Sequence, residues 1–183
     1  MNSSTAYCLM LTFYLILISH FSFSANGRVY DDQVDLIAKV CNDADNQFKA
    51  DCLILLRKDP KVVVAKNYCD ISKAVLELAI IKTTAVTNFI KELAKNNSSP
   101  SIKECITDYQ NAVASFISSK NELNVDTLAA NYDAKVAGDG PDMCSKSLKM
   151  ARIVNPTVIA LNYQTKLLSV CASLATNYLP ENC

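Results

Sequence analysis

The sequence predicts an all-α protein: an up-down-up-down four-helix bundle preceded by a helical hairpin. Only 3 Gly and 5 Pro occur in 183 residues, and no segment shows the clear alternation of apolar and polar residues that a half-buried strand needs. Several long segments instead place apolar residues three and four positions apart, which is the spacing of one helix face. The connections between these segments are short, as they are in a bundle of antiparallel neighbours.

The first 25 residues have the pattern of a secretory signal peptide. They contain no Lys, Arg, Asp or Glu, and their apolar run, 7–18, is shorter than the roughly 20 residues that span a bilayer. Small residues follow, so we expect cleavage after Ser24 or Ala25. One departure from the signal-peptide pattern is that basic residues are missing from its start. The alternative is a membrane anchor. We expect residues 26–183 to form one secreted domain with no membrane segment.

The N-terminal hairpin is predicted over residues 30–58. Its two helical segments are short, and the polar residues 42–46 separate them. Cys41 and Cys52 flank this polar stretch, and a turn there would allow them to close a small hairpin, worth about 3 kcal/mol in the chain-entropy model. Asp59-Pro60 then stops the helix.

The bundle itself is predicted between residues 62 and 180. Its longest helix signal covers about 66–95 and ends at a polar linker. The last helix, 157–178, follows Asn155-Pro156, where Asn is a favoured N-cap and Pro suits the first helical position. The apolar residues expected to face the core along the long helix are Ile71, Ala74, Leu78, Ile81, Ala85, Phe89 and Leu93.

Two apolar stripes are predicted for the middle helices of the bundle. The stripe of the second helix is Ile102, Cys105, Ile106, Tyr109, Val113, Phe116 and Ile117. The stripe of the third helix is Val125, Leu128, Ala129, Tyr132 and Val136. A helix-breaking segment, 138–141, precedes Cys144. If Cys105 and Cys144 are joined, the closed loop restricts the unfolded chain by roughly 4 kcal/mol.

The composition excludes several classes of function. The only histidine, His20, lies in the signal peptide, so the mature chain has no imidazole for acid–base or nucleophilic catalysis. Lys plus Arg and Asp plus Glu are both 18, which leaves no electrostatic footprint for nucleic acid. There is no short C-x-x-C spacing for zinc, no G-x-S-x-G and no phosphate loop. The acidic residues are scattered and are interpreted as solvated surface. We therefore expect no enzyme, no metal and no cofactor.

Seven cysteines follow the signal peptide. In a secreted chain most of them should be oxidised, and the odd number leaves at least one free thiol or an intermolecular bridge. Spacing alone leaves the connectivity open. These cysteines are Cys41, Cys52, Cys69, Cys105, Cys144, Cys171 and Cys183.

Five stretches of the chain match one family of plant proteins in order and spacing. They are the first cysteine pair with its neighbours (40–53), the Asp-Pro after it (59–60), the Cys-x-x-x-Tyr helix (105–113), the segment into the next cysteine (123–144) and the closing helix with Leu-Leu, a cysteine and Asn-Tyr-Leu-Pro (165–180). Together they resemble the plant invertase and pectin methylesterase inhibitor family, over essentially all of the mature chain.

The resemblance implies a disulfide pattern. The family pairs would be Cys41–Cys52 and Cys105–Cys144, with Cys171 a buried free thiol that behaves as a small hydrophobe. Cys69 and Cys183 are additional. They could pair with each other and pin the C-terminal tail to the long helix, which we favour slightly, or Cys183 could pair with another chain.

The resemblance also implies a function. Members bind an enzyme non-covalently and occlude its active-site cleft, either that of pectin methylesterase or that of cell-wall or vacuolar invertase. The Pro-Lys-Phe motif of many invertase inhibitors is missing at residues 124–128, and the Thr common before the fourth cysteine of pectin methylesterase inhibitors is replaced by Met143. The C-terminal helix with Cys171 favours pectin methylesterase as the target. The alternatives are an invertase inhibitor and a non-inhibitory structural or storage member of the family.

This interpretation sets the expected location and form of the protein. We expect a stand-alone monomer in the apoplast or cell wall, or in the vacuole if its target is a vacuolar invertase. Asn96 and Asn97 are formal N-glycosylation acceptors, of which at most one should be used, and Pro100 makes Asn97 the poorer one.

The contact surface for the partner enzyme is predicted on the second and third bundle helices and the loop after them. For each of these residues the alternative is an ordinary solvated helix face. Tyr109 and Tyr132 are expected in the core instead. The predicted contact residues, with Met143 as a candidate for target specificity, are Lys103, Asp108, Asn111, Asp126, Asn131, Asp133, Asp139, Asp142 and Met143.

Overall fold

The computed structural model describes residues 35–96, 99–180 and 183, and within these ranges its regular secondary structure is entirely helical. The predicted signal peptide and residues 30–34 of the predicted hairpin lie outside the described residues. The all-α prediction is confirmed. The helices are α1 (Leu36–Asn42), α2 (Asn46–Arg57), α3 (Pro60–Val63), α4 (Tyr68–Asn96), α5 (Pro100–Glu122), α6 (Thr127–Val136), α7 (Asp139–Met150) and α8 (Pro156–Thr176).

Four helical columns form the bundle: α4, α5, the pair α6 and α7, and α8. Contacts join α4 to α5, α5 to α6 and α7, α6 and α7 to α8, and α8 back to α4, so the columns form a ring. That ring has the neighbours that an up-down-up-down order requires, and the alternation of directions itself stays a prediction. The hairpin of α1 and α2 packs against α4 and α8 at one end of the ring.

Side-chain caps mark where several helices begin. Asp35 accepts a hydrogen bond from the Ala38 N–H ahead of α1, and Asp126 accepts one from the Ala129 N–H ahead of α6. Asn155 caps α8 as the sequence predicts, with its side chain accepting from the Val158 N–H and a proline at the first helical position. Asp59 is more than a stop, because it also caps the short helix α3.

The core consists of two clusters stacked along the bundle. The first lies beside the hairpin and includes Leu56, Ile71, Phe116 and Leu168. The second lies at the other end, and its fully or almost fully buried side chains include Ile90, Ile102, Tyr109 and Val158. Both clusters combine residues from α4, α5 and α8, so each of these helices is held along its length by apolar burial.

The structure contains three disulfides and one free cysteine among its described residues. Cys41–Cys52 joins α1 to α2, and Cys105–Cys144 joins α5 to α7 with 4.5 Å between the Cα atoms. These are the pairs that the resemblance implies. Cys69 pairs with Cys183, which attaches the end of the chain to the first turns of α4. Cys171 is a buried free thiol, and burial raises its pKa to about 12.

The stripe predicted for the long helix is correct in only half of α4. Ile71, Ala74 and Leu78 are buried, whereas Ile81, Ala85 and Phe89 are exposed. The reason is that the α1–α2 hairpin covers this face at the start of α4, where Leu78 joins the first core cluster, but not further along. The later turns bury a different set: Ala79, Thr83, Val86, Thr87 and Ile90.

Candidate functional site

The surface of interest is formed by α5, α6 and α7, and a very close helix contact supports it. A Cβ atom on Gly140 would lie 2.5 Å from the backbone oxygen of Asp108 and 2.9 Å from the Cβ of Ala112. Only glycine therefore allows α7 to approach α5 this closely. The Cys105–Cys144 disulfide lies one helical turn away along the same contact. The two helices that the Cys105–Cys144 disulfide links are thus also held by a close contact that requires glycine at position 140.

A buried polar network ties the contact between α5 and α7 to α8. The Tyr109 hydroxyl of α5 donates to Asn162 Oδ1 of α8 at 2.6 Å, and Asn162 Nδ2 donates to Ser145 Oγ of α7 at 2.7 Å. Burial raises the pKa of Tyr109 to about 12, with the hydroxyl of Thr165 partly opposing the rise. Tyr109 is therefore a core residue, as the sequence predicts, and it stays a neutral donor at physiological pH.

Helix α6 turns a face of alanines toward the bundle. Ala130, Ala134 and Ala137 are fully buried. The backbone oxygen of Ala130 accepts a hydrogen bond from Ser119 of α5 at 2.6 Å, and that of Ala134 accepts one from Ser169 of α8 at 2.9 Å. Such side chain–backbone bonds require the helices to approach closely, which leaves room only for small side chains.

The apolar stripe predicted for the third helix is wrong as a result. Val125 is 85% exposed, Leu128 82% and Tyr132 66%. The expectation that Tyr132 lies in the core therefore fails, because the alanine face takes the buried side of α6. We call the side chains of Val125, Leu128 and Tyr132 the α6 apolar row. A sequence signal for the buried face of α6 did exist, because Ala130, Ala134 and Ala137 are spaced by four and then three, which places them on one helix face.

Four of the predicted contact residues are exposed, and their side chains make no hydrogen bond or ion pair with any described residue. They belong to α5 and to the first turns of α7, the two helices that the disulfide joins. Their side chains are free to meet a partner. The four are Lys103, Asn111, Asp139 and Met143.

Three other predicted contact residues have structural partners. Asp126 is the cap of α6. Asn131 is half-buried and donates through Nδ2 to the Ser173 backbone oxygen at 2.6 Å, which ties α6 to α8. Asp142 accepts from Lys166 at 2.6 Å. These interactions give each residue a structural role, and Asn131 is the least available to a partner of the three.

The remaining two predicted contact residues, Asp108 and Asp133, are half-buried acids. Asp108 has a buried oxygen, Oδ2, with no hydrogen-bond partner among the described residues, and burial raises its pKa, with Glu104 adding to the rise. Asp133 lies near Glu122, whose pKa is raised by burial and by the charge of Asp133. The carboxyl groups of Asp108 and Glu122 therefore lose their charge more readily on acidification than exposed ones would.

The described part of the chain holds no group of three or more His, Cys, Asp or Glu side chains that could bind a metal ion. Within the same residues, none of the helices is both long and apolar enough for a membrane crossing.

Comparison with known proteins decides the family. The sequence pattern of the plant invertase/pectin methylesterase inhibitor family matches residues 35–175. The chain belongs to this family. Its members inhibit an enzyme and are not enzymes themselves. The composition of the sequence predicts the same, that this protein is not an enzyme.

Two solved structures show the fold of this family member. The first is mutant form A of a pectin methylesterase inhibitor from Arabidopsis, which is 21% identical to this chain with a TM-score of 0.70. The match covers 80% of this chain and 98% of that one. A pectin methylesterase inhibitor from Arabidopsis thaliana is also 21% identical, with a TM-score of 0.59 and coverages of 80% and 97%. Comparison with curated proteins finds no significant match.

Proposed function

We propose that this family member is a secreted inhibitor of pectin methylesterase, which binds the enzyme non-covalently and occludes its active-site cleft. The observation that carries the proposal is the α6 apolar row. Large apolar side chains this exposed, on one short helix and the turn just before it, are typical of a protein-binding surface when a rigid scaffold supports them.

The support beneath the row is rigid. On its buried side, α6 is fixed by the hydrogen bonds from Ser119 and Ser169 to its backbone oxygens and by the bond from Asn131 to α8. At its start, Asp126 caps the helix. A preorganised surface loses little conformational entropy on binding, which favours inhibition by occlusion.

Further exposed residues lie on the neighbouring helices α5 and α7. Lys103, Asn111, Asp139 and Met143 are exposed on α5 and α7 and have no partner within the described chain. An apolar centre with a polar rim is the usual arrangement of a non-obligate interface. We propose Lys103, Asn111 and Asp139 as polar contacts at the rim of the enzyme complex, and Met143 as a further apolar contact.

Pectin methylesterase is the proposed target because the closing helix resembles the inhibitors of that enzyme. Cys171, buried and unpaired in α8, is part of that resemblance.

We also propose that residues 1–25 direct secretion to the cell wall. Asn96 ends α4, its side chain is not described, and Asn97 lies outside the described residues, so glycosylation there remains a proposal too.

Enzyme capture and inhibition assays test the proposal. The purified, oxidised protein is incubated with plant cell-wall extract near pH 5 and near pH 7, and pectin methylesterase and invertase activities are measured in the bound and unbound fractions. We expect the esterase to be captured and inhibited. Captured invertase would reverse the target, and a folded protein that captures neither enzyme would indicate a non-inhibitory member.

A matched pair of variants tests the surface. Val125→Asp places a charge in the α6 apolar row, and Val64→Asp makes the same change at an exposed valine after α3. We expect Val125→Asp to weaken inhibition by at least about tenfold, or about 1.4 kcal/mol, and Val64→Asp to leave it unchanged. Equal inhibition by both variants would show that the row is not the binding surface.

A further inference from the structure

A groove lies on a different side of the molecule, where the hairpin meets α4 and α8. Its volume is about 510 Å³, within the range of small-molecule sites. The wall on one side is formed by α2, and the other side by α4 and α8. None of the residues of the α6 apolar row contributes to it. The groove is therefore separate from the proposed enzyme-binding surface.

Leucine side chains form the floor of the groove. Leu78 and Leu167 are buried, and Leu55 and Leu161 are half-buried. Beside this floor Ile54 remains 54% exposed. The floor can thus take up an apolar chain, and covering it would remove further apolar surface from water.

The carboxylates that line the groove already have hydrogen-bond partners. Asp51 accepts from the Tyr163 hydroxyl at 2.5 Å. Asp59 accepts from the backbone N–H groups of Lys61 at 2.9 Å and Val62 at 3.2 Å, because it caps α3. Both acids are thus used in holding the hairpin and the start of α3 in place.

The ammonium groups of the groove have no such partners. Lys58, just after α2, and Lys82, from α4, are exposed, and their side chains form no ion pair or hydrogen bond with any described residue. The formal charges of the two lysines and two aspartates cancel, but the aspartates already accept hydrogen bonds, whereas the lysine ammonium groups donate none to any described residue. An anionic group between them would accept charge-assisted hydrogen bonds from both.

We propose that this groove binds a free amphipathic carboxylic acid with an aliphatic tail. The tail lies on the leucine floor, and the carboxylate accepts hydrogen bonds from Lys58 and Lys82. The cationic donors select the head group, and the length of the apolar floor selects the tail. This site is independent of enzyme inhibition, and either proposal can fail without the other.

Two amphiphiles with the same tail and opposite charge test the site. Decanoate and decyltrimethylammonium are titrated into the oxidised ¹⁵N-labelled protein below their micellar concentrations, with calorimetry for affinity and amide shifts for location. We expect saturable binding of decanoate, with shifts confined to α2, α4 and α8, and an affinity at least about tenfold higher than that of the cation, or about 1.4 kcal/mol.

Three variants separate the head-group contact from the floor. The double variant Lys58→Gln/Lys82→Gln should bind decanoate with an affinity about tenfold or more lower. Lys91→Gln changes an exposed lysine of α4 outside the groove and should leave the affinity unchanged. Ala160→Phe, at an exposed position on the groove wall, should abolish binding by filling the groove while the circular dichroism spectrum stays unchanged.

Several results would overturn the proposal: no saturable binding of decanoate, equal affinity for both amphiphiles, unchanged affinity in the double lysine variant, or amide shifts centred on α5 and α6.

Discussion

Helices α5 and α6 follow each other in the chain and use opposite kinds of side chain for burial. On α5 the buried residues include Ile102, Tyr109 and Phe116, and the sequence stripe indicates them correctly. Its last member, Ile117, was wrongly predicted to be buried, because it lies at the edge of the buried face and is 42% exposed. On α6 the buried residues are alanines, while the large apolar residues of its stripe face outward. The difference shows that helical periodicity locates apolar faces, whereas the distance to the neighbouring helices decides which face is buried.

The contrast follows from where each helix lies. The large side chains of α5 fill both core clusters: Phe116 lies in the first, and Ile102 and Tyr109 in the second. Helix α6 lies so close to its neighbours that Ser119 and Ser169 hydrogen-bond its backbone oxygens. A leucine or tyrosine cannot fit in that contact, so the large residues of α6 remain at the surface and become available to a partner.

The largest effect should come from truncating an aromatic residue on the buried face of α5. Phe116→Ala removes a fully buried ring, and we expect a loss of about 3–5 kcal/mol in the free energy of unfolding. Tyr132→Ala, the matched truncation on α6, should cost less than about 0.5 kcal/mol because that ring is exposed. Urea denaturation followed by circular dichroism measures both. Similar losses in the two variants would contradict the assignment of faces.

A smaller effect should come from enlarging the buried face of α6. Ala134→Leu adds side-chain volume where the helix touches α8, and we expect a loss of about 1–3 kcal/mol in unfolding free energy. Ala114→Leu makes the same change at an exposed position of α5 and should be close to neutral. The midpoint of urea unfolding reports the comparison. A stabilised Ala134→Leu variant would mean that the helix contact is loose.

The smallest effect should come from removing the hydroxyl group of Tyr109, the buried tyrosine of α5. Tyr109→Phe leaves Asn162 Oδ1 without its donor, and we expect a loss of about 1–2 kcal/mol near neutral pH. Tyr132→Phe is the control on α6 and should change the stability by less than about 0.5 kcal/mol.

The pH dependence sharpens this third prediction. Burial raises the folded pKa of Tyr109 from 10.0 to about 12. The folded state thus holds the phenolic proton more tightly than the unfolded state, and its stability falls as the pH rises from about 10 to about 12. The stability gap between wild type and Tyr109→Phe should therefore shrink over this range. A gap that stays constant would show that the hydroxyl is not desolvated.

The candidate site was only partly predictable, for reasons that particular residues make clear. The exposed positions Lys103, Asn111 and Asp139 could be recognised because charged and polar side chains on amphipathic helices are usually solvated. Asn131 has the same polarity, yet it ties α6 to α8. Its partner, the Ser173 backbone oxygen, lies 42 residues away in sequence, and no local pattern can indicate such a bond.

Local chemistry within the sequence was enough to determine the helical class and the Asn155-Pro156 start of α8, because spacing and capping act over a few residues. The order of the cysteines, through the resemblance, also implied the Cys41–Cys52 and Cys105–Cys144 pairs. Only the tertiary structure decided that half of the α4 stripe and the whole α6 apolar row face solvent. Burial depends on which helix lies opposite and how closely it approaches, and those are distances between residues far apart in the chain.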